Sequence, residues 1–136
     1  MLFRSEISNF ALEGFGSFHN QKYWFHVPYL GIGAGAHSFW DYKRFNYEDF
    51  EDFFDNDIIK KFESVKMLTS EEIREEKIML NTRTYAGVDM SLINVSKSVL
   101  DDLCDRNLIK IENGCIIPTL DGWMFINTVV LKLLGN

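Results

Sequence analysis

Residues 108–119 read LIKIENGCIIPT. Two short β-branched runs flank Asn113-Gly114, and Asn-Gly is the pair that supplies two consecutive left-handed residues to a type I′ turn. This stretch therefore predicts a hairpin. Before it, Leu92, Val95, Val99 and Leu103 recur at steps of three and four, which predicts an amphipathic helix over 92–106. Asn107 suits a left-handed helix end. Further back, Thr69 or Ser70 caps a helix reaching about Thr84. Its first turn is acidic, which favours the helix dipole, and Gly87 lies at or just beyond its end. After the hairpin, Thr119 or Asp121 opens a last helix carrying Trp123, Met124, Ile126, Val130, Leu131 and Leu134.

The order helix, helix, two-stranded wing, helix is that of a winged-helix module, placed at 69–136. The front half has another texture. Residues 2–11 alternate partly and read as one strand, with Phe3, Ile7 and Phe10 apolar. Residues 13–28 mix glycine, aromatic and polar residues without a period and read as a structured loop. Residues 29–40, YLGIGAGAHSFW, suit a buried strand whose glycines permit close backbone approach. Charge returns at Asp41, Lys43 and Arg44. Asn46 is read as the N-cap of a short helix with Phe50, Phe53 and Phe54 on one side. Glu48, Asp49, Glu51, Asp52 and Asp55 form a solvated face. Residues 60–68 connect. The fold class is α+β, divided at 1–45, 46–68 and 69–136.

The chain has 136 residues, 46% of them hydrophobic and 25% charged, the range of ordinary globular protein. Its net charge of −6 opposes non-specific binding to nucleic acid or anionic membrane. In the predicted reading helix, Lys97 and Arg106 are outnumbered by Asp101, Asp102 and Asp105, and in the wing Lys110 and Glu112 cancel. Phosphate binding needs a positive surplus, so no nucleic-acid partner and no membrane partner are expected. No apolar run is long enough to span a bilayer. Arg4 and Glu6 stand where a signal peptide would be apolar. The two cysteines, Cys104 and Cys115, read as buried reduced thiols of a cytoplasmic protein. Two thiolates cannot hold a cluster that normally needs three or four.

Gly31, Gly33 and Ala36 formally match the dinucleotide-binding pattern of spaced glycines. That pattern works when a strand leads into it and a helix N-terminus follows. Here Pro28 precedes it closely, and His37-Ser38-Phe39-Trp40 is a poor helix start. The segment is read as a glycine-rich strand whose backbone can approach a ligand. His19, His26 and His37 are irregularly spaced and form no zinc motif. His19-Asn20 with Tyr23-Trp24 can form a polar and aromatic wall for a flat ligand, and histidine can ligate iron. Ser38 directly follows His37 with no strand-turn-helix elbow to present it as a nucleophile.

The string SEISNFA at 5–11, His19-Asn20, Tyr23-Trp24 and YLGIGAGAHS at 29–38 resembles, in order and spacing, a block of the oxygen-independent coproporphyrinogen III oxidase-like radical S-adenosylmethionine proteins. Ser5 replaces the family's tyrosine. Leu80, Arg83 and Gly87 are similar to its following helix, and Thr119, Gly122 and Asn127 to its terminal one.

The resemblance implies the last strands of a partial (β/α) barrel followed by the winged-helix-like domain. In the whole family a CxxxCxxC motif binds a [4Fe-4S] cluster that reduces S-adenosylmethionine to a radical, and the oxidase branch decarboxylates propionates of coproporphyrinogen III in porphyrin biosynthesis. The combination HN, YW and GAGAHS is more similar to the haem-chaperone branch. This chain has no CxxxCxxC, so the expectation is a C-terminal part without cluster, cofactor or radical chemistry of its own. The residues expected at the ligand are Glu6, Asn9, His19, Asn20, Tyr23, Trp24, Gly31, Gly33, Gly35, His37 and Ser38. The expected partners are the missing N-terminal barrel part or a second copy, joined as a homodimer through 2–11 or 29–40, and a tetrapyrrole. The alternative is a non-enzymatic protein-interaction module acting through the winged-helix half.

Overall fold

The computed structural model describes residues 2–12, 16–55 and 57–135, apart from the side chains of 2–6 and 9–11. By proximity the chain forms two units, Met1–Phe25 with Arg74–Asn136, and His26–Ile73.

The stretch predicted as one strand is a hairpin, β1 (Leu2–Glu6) against β2 (Asn9–Leu12), with Leu2 opposite Leu12 and Glu6 opposite Asn9. The chain reverses at Ile7-Ser8. There the Ile7 amide leaves the ladder and donates to the Arg83 carbonyl at 2.8 Å. The predicted loop over 13–28 contains a helix, α1 (Phe18–Trp24), capped by the Ser17 hydroxyl, which accepts from the Asn20 amide at 3.4 Å. None of the residues of α1 is fully buried, so no apolar stripe marked it in the sequence.

In the second unit, β3 (His37–Trp40) pairs antiparallel with β4 (Lys43–Asn46), placing Ser38 opposite Phe45. Asp41 and Tyr42 join them with φ of 47° and 56°, as a type I′ turn requires. Only the last four residues of the predicted strand 29–40 are strand. Tyr29 bridges Phe39 through two backbone hydrogen bonds of 2.8 and 2.9 Å. Between them the chain doubles back as a turn, with Gly33 and Gly35 at positive φ and the Ala36 amide donating to Gly33 at 3.2 Å. Asn46 is the end of β4, not a helix cap.

The following helix, α2 (Phe50–Asp55), begins later. Asp49 accepts from the Asp52 amide and Asp52 from the Glu48 amide, both at 2.8 Å. The predicted connection at 60–68 is mostly helix α3 (Ile58–Ser64). Asp57 caps it, accepting from the Ile59 amide at 2.6 Å and the Lys60 amide at 3.4 Å. This unit is held by aromatics: Phe39, Phe45 and Tyr47 are buried, with Phe62 edge-on to Phe45 and Phe53 edge-on to Tyr47, the favoured ring geometry.

Helix α4 (Ser70–Asn81) starts with a reciprocal cap: the Thr69 amide donates to Glu72 Oε2 at 2.7 Å, and Thr69 Oγ1 accepts from the Glu72 amide at 3.2 Å. The Thr69 amide and hydroxyl hold the Glu72 carboxyl below its ordinary value. A depressed carboxylate contributes stability above its unfolded pKa and loses it as pH falls through the folded one. Thr69→Ala should therefore cost about 1 kcal/mol at neutral pH and less in acid, where Glu72 is already protonated. Urea melts at the two pH values check this. An equal cost at both would separate Glu72 from the cap.

α4 ends at Asn81, short of the predicted Thr84, because the Thr82 and Thr84 hydroxyls turn back to the carbonyls of Ile78 and Asn81, each at 2.8 Å. A two-residue strand, β5 (Val88–Asp89), follows, then one 3₁₀ turn at Met90–Leu92. Helix α5 (Lys97–Asp105) is shorter than the predicted 92–106. Leu92 and Val95 reach the core from outside the helix.

The hairpin is as predicted: β6 (Ile109–Glu112), Asn113-Gly114 at φ of 51° and 77°, and β7 (Cys115–Pro118). β5 pairs with the other side of β7, so the strand order is β5-β7-β6. The last predicted helix is two, α6 (Leu120–Met124) and α7 (Ile126–Leu134), broken at Phe125. Ile78, Val88, Leu100, Leu103, Leu108, Ile109, Ile116, Val129 and Leu133 form one buried cluster drawn from α4, α5, α7, the sheet and the residue leading into it. The mixture of helix and strand is the predicted α+β. Among the described residues no helix is long and apolar enough to cross a membrane.

Candidate functional site

Helix α1 brings His19 and Tyr23 together, since residues four apart share a helix face. The Tyr23 hydroxyl lies 3.1 Å from His19 Nε2, and the rings meet edge to face at 5.0 Å. Both side chains are exposed, Asn20 is half-buried, and Trp24 is half-buried with its Nε1 out of solvent and without a hydrogen-bond partner among the described residues. If Nε2–H donates to the tyrosine oxygen, Nδ1 carries the lone pair that a metal needs, and Tyr23 orients the ring.

Glu6 and Asn9 face each other where β1 meets β2; their side chains lie outside the described residues. Gly31, Gly33, Gly35, His37 and Ser38 belong to the His26–Ile73 unit, whereas the α1 residues belong to the other. Ser38 is buried, and its Oγ accepts from the Gly31 amide at 3.0 Å, which spends the hydroxyl on the turn. The Gly35 amide donates to the Tyr47 carbonyl at 2.6 Å. Where side chains would stand on Gly33 and Gly35 there is open space, whereas Gly31 is pressed against the His37 carbonyl. The expected close backbone approach at Gly31 is thus to the chain itself. His37 is exposed at the start of β3. His26 is half-buried, its ring 5.1 Å from that of Phe39.

The sequence reading missed an apolar cavity of about 210 Å³ in the His26–Ile73 unit, lined by Leu30, Trp40, Phe45, Ile58, Ile59 and Phe62. The spacing of Ile58, Ile59 and Phe62 behind a capping aspartate was its available signal. A more polar groove of about 400 Å³ lies in the other unit at Asn94–Ser96, Val99, Lys132 and Gly135.

The thiols do not suit an iron–sulfur cluster. Cys104 lies on α5, with its pKa pushed up by burial and by Asp101 and Asp105, and Cys115 lies on β7. Such a cluster takes three or four thiolates, and a raised pKa disfavours the thiolate form. Among the described residues no three histidine, cysteine or acidic side chains gather at one point.

No protein-family model matches the chain, and no solved structure matches it significantly. Curated relatives do. It is 34% identical over 96% of its length to a protein of Bacillus subtilis named heme chaperone HemW, and it spans 38% of that relative's length. Shorter segments match proteins of the same name. One is 52% identical to that of Synechocystis sp. over 40 residues, 29% of this chain and 10% of that protein. Another is 61% identical to that of Lactococcus lactis over 31 residues, 23% of this chain and 8% of that protein.

Proposed function

This chain belongs to the coproporphyrinogen III oxidase-like radical S-adenosylmethionine family, beside the heme chaperones HemW, and from that premise we propose that it takes part in haem binding or delivery rather than in radical chemistry. The observation that carries the reading is the match over almost the whole chain to a relative named for haem. The donor set supports its second half, since a chain with two separated cysteines does not hold the family's cluster. In this reading the chain supplies the C-terminal part of the fold, with the last barrel strands in front and a winged helix behind. The order α4, β5, α5, β6, β7, α6 and the strand order β5-β7-β6 support the winged helix. The partner is polypeptide equivalent to the rest of the relatives' length, or a second copy.

Haem iron would be met by His19, with Tyr23 orienting the imidazole and Trp24 offering a flat apolar surface. Glu6, Asn9 and Asn20, which belong to the same unit as His19, remain candidates for the same ligand. Titration with haemin, followed by the Soret band, tests the assignment. His19→Ala should weaken binding at least about tenfold, or 1.4 kcal/mol. Tyr23→Phe, which removes one hydrogen bond, should weaken it about threefold. His26→Ala should leave it unchanged, because the His26 ring is packed on Phe39. Superimposable curves for all three variants would remove His19 from the site.

A further inference from the structure

We propose that the apolar cavity of the His26–Ile73 unit is a docking site for a cationic polypeptide segment that inserts one bulky apolar side chain. The cavity has a wall on each side of the β3–β4 hairpin's turn, Trp40 and Phe45, with Leu30 from the segment before β3 and Ile58, Ile59 and Phe62 from α3. Phe45 is 4% exposed and forms part of the unit's core, whereas Leu30, Trp40 and Ile59 are 52%, 50% and 62% exposed. Its volume of about 210 Å³ suits one aromatic or leucine side chain. It is below the ~300–1,000 Å³ that small-molecule ligands occupy, which argues against haem as the occupant. An apolar anchor seated in a pocket and ringed by polar residues is the usual centre of a protein interface. On the same unit α2 leaves Phe50 and Phe54 exposed one turn apart, more apolar surface than single scattered residues require.

Charge selects the partner. Between His26 and Ile73 stand ten acidic and five basic residues, so this unit carries five of the chain's six net negative charges. Asp57 sits at the first turn of α3, directly before the lining residues Ile58 and Ile59. At least three of the five cations are engaged inside the unit: Lys43 Nζ lies 4.3 Å from the Phe62 ring centroid and donates to the Phe62 carbonyl at 3.1 Å, the Arg44 guanidinium lies 4.9 Å from the Phe39 ring centroid and donates to the Tyr29 hydroxyl at 3.5 Å, and Lys61 is 2.5 Å from Asp52. The surplus attracts a basic segment and repels both a second copy of the same acidic face and a ligand bearing carboxylates.

The test uses the whole chain and three short peptides: one with a central phenylalanine between lysines, one with that phenylalanine between glutamates, and one with glycine between lysines. The Trp40 indole N–H resonance reads the cavity. The Trp123 indole, hydrogen-bonded to Thr82 in the other unit, serves as the control. Only the lysine–phenylalanine peptide should shift Trp40, and the shift should fade with added salt. Ile59→Asp, an exposed change in a helix first turn that tolerates an acid, should weaken this binding at least about tenfold. Trp40→Phe, read at neighbouring backbone amides, should retain it. Equal shifts with the glutamate peptide, or none with any peptide, overturn the proposal. So does a Trp40 shift produced by haemin alone, or by raising the chain's own concentration, since haem or a second copy would then be the occupant.

Discussion

Gly122→Ala is expected to cost about 3 kcal/mol or more, enough to unfold much of the Arg74–Asn136 part at moderate urea. An added Cβ would stand 1.8 Å from the Leu108 carbonyl oxygen and 2.9 Å from its carbon. That carbonyl cannot simply withdraw. It accepts from the Thr119 amide at 3.0 Å, and Thr119 in turn caps α6 by accepting from the Gly122 amide at 3.0 Å. Relief would have to separate α6 from the entry to β6, where Leu108 and Ile109 join the core. The Trp123 indole, which donates to the Thr82 carbonyl at 3.0 Å, is a fluorescence probe at the same place. A urea midpoint equal to that of the wild type would show that α6 can shift freely.

Gly31→Ala is expected to act on the other unit, costing about 2 kcal/mol. The new Cβ would meet the His37 carbonyl oxygen at 2.3 Å and the Ala36 carbonyl carbon at 2.9 Å. Moving the strand away breaks the bond from the Gly31 amide to Ser38 Oγ, and Ser38 is 1% exposed, so a buried hydroxyl loses its donor. The backbone pair between Tyr29 and Phe39 sits on the same seam. Hydrogen exchange at the Tyr29 and Phe39 amides should accelerate. Unchanged protection there, with the variant folded, would contradict the close packing of the turn on β3.

The candidate site was legible to different depths. His19-Asn20 and Tyr23-Trp24 stood out as residue types, but their pairing depends on α1, which no apolar period announced because it buries no complete face. The glycine segment stood out as well. Its two glycines at positive φ, Gly33 and Gly35, make a turn rather than a strand, and the closeness that its composition suggested is spent at Gly31 against the chain itself. Of the cavity only the α3 wall had a signal in the sequence, since Leu30, Trp40 and Phe45 come from separate segments that only folding brings to Ile58, Ile59 and Phe62.

Contacts spanning a few residues could be read from residue order. The Asn113-Gly114 turn, the left-handed Asn107, the Thr69–Glu72 cap and the Thr119 cap each satisfy backbone geometry or hydrogen bonding within one turn, so residue type at fixed spacing suffices. Several of the features that escaped such reading depend on distant partners. The reversal at Ile7 depends on Arg83, the two-residue β5 exists because Val88 and Asp89 pair with Ile116 and Cys115, and Trp123 finds its acceptor forty-one residues away at Thr82. A strand of two residues or a helix without a buried face has too little local preference to form alone. Its conformation is selected by whichever distant backbone group completes its hydrogen bonds.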